Sequence, residues 1–218
     1  MKKLTDEKQA ALLEAGIAAF ARAGFHGASI GAIAGAAGTS VGVLYKYYEN
    51  KEAFFDACLR HSLRSLEALL DQVTAEEGKL LDSARQLIRG LQAFSRTHPD
   101  HVRLYHRITA SQGAAAVRLA GAIESVTARL YTDWIARAQA EGAVRGDMDP
   151  RLFALFFDNL LMMTQFTGCC DYYRARMALY EGEGPWNPER MEEELLKFLE
   201  SAFTLEQAAI SHREEERK

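Results

Sequence analysis

One stretch, Ser29 to Lys51 (SIGAIAGAAGTSVGVLYKYYENK), leaves few folds open to this chain. Ile30, Ile33, Ala34 and Ala37 recur at helical spacing and give a short helix one apolar face. Gly38 breaks the pattern and supplies the backbone freedom of a tight turn. Thr39 or Ser40 can cap a second helix by accepting a bond from one of its orphan N–H groups. Val41 and Leu44 then face back onto the first helix, and Ala34 is small enough for the two to cross closely. Two short helices joined by a glycine turn of this length form a helix-turn-helix, whose second helix enters the major groove of DNA.

The outer face of the second helix carries Val43, Tyr45, Lys46 and Tyr47, too large and mixed for another core stripe. Tyrosine hydroxyls bond phosphate oxygens, and their rings pack on sugars or a thymine methyl. Lys46 and Lys51 are point charges for the backbone. Gly42 costs about 1 kcal/mol against alanine inside a helix, and close approach to the groove is a reason to keep it. The expected DNA-contacting set is Ser29, Thr39, Ser40, Val41, Gly42, Val43, Tyr45, Lys46, Tyr47 and Lys51. Tyr48 is read as a packing residue. No arginine or asparagine on this face has an obvious purine partner, so phosphate contacts and DNA shape are expected to carry much of the specificity.

Ile17-Ala18-Ala19-Phe20, Gly24-Phe25, Ser29-Ile30, Ile33-Ala34, Ala37-Gly38-Thr39-Ser40, Gly42, Leu44-Tyr45-Lys46-Tyr47-Tyr48 and Asn50-Lys51-Glu52 together resemble the N-terminal domain of the TetR (tetracycline repressor) family. The resemblance covers roughly the first 55 residues and is dense. It implies an all-helical, homodimeric, usually ligand-controlled transcriptional regulator. It also implies that the helix after the motif relays ligand binding to the DNA-reading helices. Ala28 departs from the threonine found in many members, and Tyr48 from the more usual phenylalanine.

The rest of the chain is consistent with helices throughout. It has 218 residues, 48% of them hydrophobic, and only four prolines; few β-branched runs occur, so the fold class expected is all-α. Net charge is −4, which excludes a globally basic nucleic-acid binder. Residues 1–60 nevertheless hold seven Lys/Arg against six Asp/Glu, so the acidity lies in the body. Three cysteines (Cys58, Cys169, Cys170) without a Cys-x-x-Cys fit neither a disulfide framework nor a structural zinc site. They suit a reducing, cytoplasmic setting. MKKLTDEK runs straight into an amphipathic pattern, unlike a signal peptide. No stretch of about 18 apolar residues is read, so no membrane partner is expected.

Periodicity and caps predict about nine helices. Thr5 to Ala23 is the first, ended by Gly24. Asn50 caps a long helix to about Thr74. Others follow at Leu80–Arg96, from His98-Pro99-Asp100 to Ile108, Ala114–Ala140, and from Asp149-Pro150 to about Cys170. Asp171 to Trp186 reads as a fraying extension or a loop, and a last helix runs from Asn187-Pro188 to about Ala209. This divides the chain into a DNA-binding domain (1–50), a helical ligand-binding and dimerisation domain (51–210) and a charged tail (211–218).

The last two long helices carry more apolar surface than one subunit covers. A four-helix bundle across a two-fold axis is the simple solution, with Phe153, Phe156, Leu160, Leu195, Phe198, Leu199 and Ala202 as interface candidates. A dimer would read a palindromic operator in double-stranded DNA with half-sites about 34–36 Å apart. Phe94, Tyr105, Trp134, Asn159, Met162, Met163, Phe166, Cys169 and Tyr173 are the candidates for contact with a small, mainly hydrophobic effector. Methionines and aromatics suit an adaptable apolar cavity, and Gln165, like Asn159, must find a partner if buried. No cofactor and no metal is expected, since His98, His101 and His106 lack a completing ligand. No phosphate loop, nucleophile–base motif or inward Glu-x-x-His pair occurs, so the chain is read as a regulator and not an enzyme. Repressor is the leading reading; an activator or ligand-independent regulator has the same sequence signature.

Overall fold

The computed structural model describes residues 5–74, 80–112, 114–181 and 187–203. Ten helices follow in order: α1 (Asp6–Gly27), α2 (Ile30–Ala36), α3 (Val41–Tyr47), α4 (Lys51–Thr74), α5 (Leu80–Thr97), α6 (Pro99–Thr109), α7 (Ala114–Ala140), α8 (Pro150–Cys169), α9 (Asp171–Glu181) and α10 (Pro188–Phe203). No strand is present among the described residues. The helix beyond the expected nine is α9, a regular element where a fraying extension or a loop was read. The gap expected between the helices ending near Ile108 and starting at Ala114 is present, with Ser111 and Gln112 outside any helix; the continuation to Ala209 and the charged tail lie outside the described residues.

The predicted starts are the observed ones. Thr5, Ser29 and Ser40 accept N–H bonds from Lys8, Ala32 and Val43 at 3.4, 3.4 and 3.3 Å. Asn50, Asp149 and Asn187 do the same for Ala53, Arg151 and Arg190, each at 2.8 Å. Each such cap contributes about 1 kcal/mol. Between the two candidates for α3, Ser40 is the cap.

Gly24 does not end α1 but kinks it. Its φ of +70° is a region that favours glycine, and a further turn continues to Gly27. Arg107 of α6 occupies the kink, donating to the carbonyls of Ala21 (3.0 Å) and Arg22 (3.1 Å). Gly16 lets α1 lie directly on α4: a Cβ there would meet Phe54 and Cys58 at 2.6 Å.

The N-terminal core contains Leu12, Ile17, Phe20, Ile33, Leu44, Phe54 and Cys58, and it is completed by Leu104 and Ile108 from α6. The expected boundary at residue 50 is therefore not a seam in the packing. A second core joins α4, α5, α7, α8 and α10. Arg89 of α5 pins α10 there, donating to both carboxylate oxygens of the buried Glu192 at 2.8–2.9 Å.

The reading that no stretch is apolar enough to span a bilayer needs correction. α8, at 20 residues with mean hydropathy 1.2 over its best window, passes by length and composition. Its inner side nonetheless packs against α5, α6, α7 and α9.

Candidate DNA interface and the junction behind it

α2 and α3 hold the expected reading face. Leu44 is fully buried between them and Ala34 is 1% exposed, so the crossing is close. Gly38 takes φ +63° in the turn, with Thr39 N–H bonding the Ala34 carbonyl at 2.9 Å. On the outside, Ser29, Ser40, Gly42, Tyr45 and Lys46 are exposed, while Thr39, Val43 and Tyr47 are half-buried. Val41, expected to face α2, is 39% exposed and belongs to the outer face. At α3's first turn only α2's side is covered, and that side is taken by Leu44.

Gly42 is informative by what surrounds it. A Cβ there would meet nothing closer than Ser40 Oγ at 4.0 Å. Nothing inside the head demands a glycine at this point of a helix. Tyr48 packs on Phe54 with ring centroids 5.0 Å apart, as its reading as a packing residue implied.

Lys51 departs from its expected role. Its ammonium donates to the carbonyls of Ala28 (2.6 Å) and His26 (3.3 Å) and lies 5.2 Å from the Phe25 ring centroid. It therefore closes the end of α1, and its charge is engaged within the head. The sequence hid this because the partners are backbone carbonyls 23 and 25 residues upstream.

Behind the head, α1, α4 and α6 meet at Glu14. One carboxylate oxygen accepts from His61 Nε2 at 2.9 Å and the other from His101 Nε2 at 2.9 Å. Arg64 lies 3.3 Å from the other nitrogen of His61, and the His98 ring is 5.3 Å from that of His101. Burial pushes the Glu14 carboxyl up, but the bonds and charges of the two histidines outweigh it and hold it below the ordinary carboxylate range. Burial lowers His101 and prevails over the pull of Glu14, so the imidazole is neutral at pH 7.

His101 also lines a small cavity of about 40 Å³, together with Leu63, Leu66, Phe94, Tyr105 and Gln165. Tyr105 then donates to Glu124 at 2.8 Å. Glu124 stands on the wall of a larger cavity of about 570 Å³ between α7 and α8, with Thr127, Asp158, Asn159 and Met162. Burial and the charge of Glu124 push Asp158 up to about 7.

Seven of the nine effector candidates come together. Phe94, Tyr105, Met162, Met163, Phe166, Cys169 and Tyr173 share one apolar cluster with Val102 and Cys170. Two do not. Trp134 packs on Tyr131 in the body core (5.9 Å), and Asn159 is exposed on the larger cavity, its amide donating to Leu155's carbonyl at 2.8 Å. Both follow from helical phase: α7 turns Trp134 to the core, and α8 turns Asn159 away from α6. Cys169 and Cys170 are buried with their sulfurs 3.8 Å apart.

The interface candidates divide as well. Phe156 and Phe198 are 52% and 59% exposed, and with Leu160 and Ala202 they line one apolar groove. Phe153, Leu195 and Leu199 are at most 8% exposed and close the body's own core. The sequence showed two apolar stripes per helix without revealing which one the subunit fills.

Glu14, His61, Arg107, Glu124 and Asp158 were absent from the sequence-based candidates, and His101 had been considered only as a metal ligand. Their only local signal is a polar residue beside an apolar stripe, and their partners are distant in sequence. Among the described residues no group of three or more His, Cys, Asp or Glu is placed to hold a metal ion.

Comparison with known proteins agrees with this geometry. Residues 12–58 match the family described as bacterial regulatory proteins, tetR family. No curated protein matches the sequence. Among solved structures, the transcriptional regulator FadR from Bacillus subtilis in complex with stearoyl-CoA superposes with a TM-score of 0.72 at 12% identity, over 90% of this chain and 100% of that one. AibR in complex with isovaleryl coenzyme A and operator DNA gives 0.66 at 17% identity, covering 88% and 97%. The ketosteroid transcriptional regulator KstR2 of Mycobacterium tuberculosis gives 0.65 at 21%, covering 94% and 98%. At these identities the likeness is one of fold.

Proposed function

We propose, on the premise that residues 12–58 make this a TetR-family protein with the fold of that family's regulators, that the chain is a homodimeric, effector-controlled repressor of transcription. The observation that carries the DNA reading is Gly42. It weakens α3, no neighbour inside the head requires it, and it sits among Ser40, Val43, Tyr45 and Lys46 on the side an operator would touch. Tyr45 and Lys46 contact phosphates, Val43 and Tyr47 approach base edges and sugars, and Ser29 and Ser40 present the helix starts. Lys51 positions α1 and is not assigned to DNA.

The groove of Phe156, Leu160, Phe198 and Ala202 is the proposed dimer seam, and Leu152 and Leu155 of α8 are 54% and 51% exposed. Two heads on one side of a two-fold assembly suit a palindrome with half-sites about one helical turn apart. The effector is a small, mainly apolar molecule seated near Phe94, Tyr105, Met162 and Phe166. It releases DNA to the extent that it binds the non-operator arrangement better. FadR and AibR, which have this fold, were solved with acyl-CoA molecules, which supports effector control by some small molecule. The proposed setting is the cytoplasm.

The test is a fluorescence-anisotropy titration of the protein on the intergenic DNA beside its own gene, at two salt concentrations with random duplex as competitor. Competitor-resistant binding at two subunits per palindrome is expected. Affinity equal to that for random duplex would contradict the reading at that locus.

A further inference from the structure

His101 is the anomaly of the interior. It is 3% exposed, its Nε2 meets Glu14, and its Nδ1 is the buried polar side-chain atom left without a partner among the described residues. The same small cavity is lined by Gln165, which is 8% exposed and whose carboxamide makes no hydrogen bond among those residues. Leaving a buried polar atom unpaired costs about 1–3 kcal/mol, and a native protein that keeps one beside a cavity with a second polar side chain on its wall needs a reason. The rest of the wall is mainly apolar, with Leu63, Leu66, Phe94 and Ile108, and carries the hydroxyl-bearing Ser62 and Tyr105, the latter already donating to Glu124. At about 40 Å³ the space admits a hydroxyl and its carbon, not a whole ligand. The adjoining cluster of Phe166, Met162 and Met163 offers adaptable surface for the remainder.

We propose that this cavity takes the hydroxyl of a mainly apolar alcohol or phenol, which donates to His101 Nδ1 and accepts from the Gln165 carboxamide, and that His101 relays the event to Glu14 on the head. The inference rests on the reading of the chain as an effector-controlled regulator and names the chemistry of its effector. The polarity follows from the tautomer. Nε2 faces a carboxylate and carries the hydrogen, so in the neutral ring Nδ1 is a bare acceptor. A carboxylate ligand would meet that lone pair with its own, and an ammonium would bring a charge into an apolar wall. An ether of the same shape would fit and leave Nδ1 unpaired.

The relay has a short path. A donor on Nδ1 polarises the ring and strengthens Nε2–H on Glu14. Glu14 also holds His61, so a shift of α6 reaches α1 and α4 through one carboxylate. His101 and Glu14 are thus positioning residues for the head.

The experiment uses the full chain without DNA and three matched probes: 4-butylphenol, 4-butylanisole and 4-butylbenzoate. Calorimetry should give the phenol at least about tenfold tighter binding than either analogue. Gln165→Leu and His101→Phe should erase that preference; the latter keeps an aromatic ring in place but removes the Nδ1 acceptor. ¹⁵N spectra of the histidines should show His101 protonated at Nε2 only, with Nδ1 shifted by the phenol and not by the anisole. The His61 resonances should move with the phenol in the parent chain and stay still in Glu14→Gln. Equal binding of phenol and anisole, as for a cavity filled only by water, would overturn the proposal. So would a preference that survives His101→Phe, or a His101 protonated at Nδ1. A His61 unmoved by bound phenol in the parent chain would overturn the relay. None of these readouts needs an operator, so failure here leaves DNA binding standing, and failure of DNA binding leaves the phenol preference intact.

Discussion

The head and the junction behind it treat polar side chains in opposite ways. On α3 the polar and aromatic groups are in excess outside: Tyr45, Lys46 and Ser40 stand in solvent around a glycine that no internal contact requires. At the junction the deficit is inside: His101 Nδ1 is buried without a partner, and the Gln165 carboxamide lines the same cavity. A flat surface rich in donors suits a long polyanion met at an interface, whereas an unpaired donor or acceptor in a small cavity suits one small molecule. Glu14, which joins α1 to α4 and α6, lies between the two.

The comparison breaks most plainly on the outer face. The double variant Tyr45→Ala/Lys46→Ala is expected to lower operator affinity by about 100-fold or more in anisotropy titrations, from two phosphate contacts per head counted twice in the dimer. Its thermal midpoint should stay put, because Tyr45 is already 44% exposed. Unchanged affinity would move the reading face elsewhere.

Next in size is the seam. Phe156→Glu or Phe198→Glu should raise the dimer dissociation constant by about 30-fold, as for loss of a central aromatic anchor, measured by sedimentation velocity. Operator binding falls with it. A variant that stays dimeric at the parent's concentration would place the seam on another face.

Gly42→Ala separates folding from reading. Helix propensity should stabilise the chain by about 1 kcal/mol in urea melts, while operator affinity drops. A gain in both would mean that Gly42 serves neither the head nor the DNA.

The smallest effect lies at the junction. Glu14 and His101 are both held below their ordinary pKa values, the first by its histidines and the second by burial. At these two groups the native chain therefore binds fewer protons than the unfolded one, whereas Asp158, pushed up to about 7, acts in the opposite sense. Stability from His101 is lost as pH falls below the ordinary histidine range, and that from Glu14 as pH falls on through the carboxylate range. On acidification through the carboxylate range the parent should thus lose more melting temperature than Glu14→Gln does. In Glu14→Gln the carboxylate step disappears and the histidine step remains. Identical profiles in the two chains would contradict the protonation assigned to Glu14.

Much of this contrast was legible in the sequence on one side only. The head is local: Ala34, Gly38, Ser40 and Leu44 lie within a few residues of one another, so spacing defines the turn, the cap and the crossing. Lys51 was misread because its carbonyl partners lie a helix away. The junction is non-local, since Glu14 and His101 are 87 residues apart and no periodicity links them. The seam was half legible: two stripes showed on α8 and α10, but only packing reveals that Phe153 and Leu199 face inward while Phe156 and Phe198 face out. The stretch from Asp171 reads as either a fraying helical extension or a loop because it carries no strong apolar stripe, and the structure shows it helical through Glu181. Its Tyr172, Leu179 and Tyr180 are 69–84% exposed.

The most direct test of an exposed reading face on a two-fold assembly presupposes no operator. The purified chain is used to select bound fragments from a random duplex pool, and the enriched pool is sequenced. A palindrome with half-sites about one helical turn apart, enriched by the parent chain and lost with Tyr45→Ala/Lys46→Ala, is the expected result. A pool that stays random, or a motif retained by that variant, would contradict it.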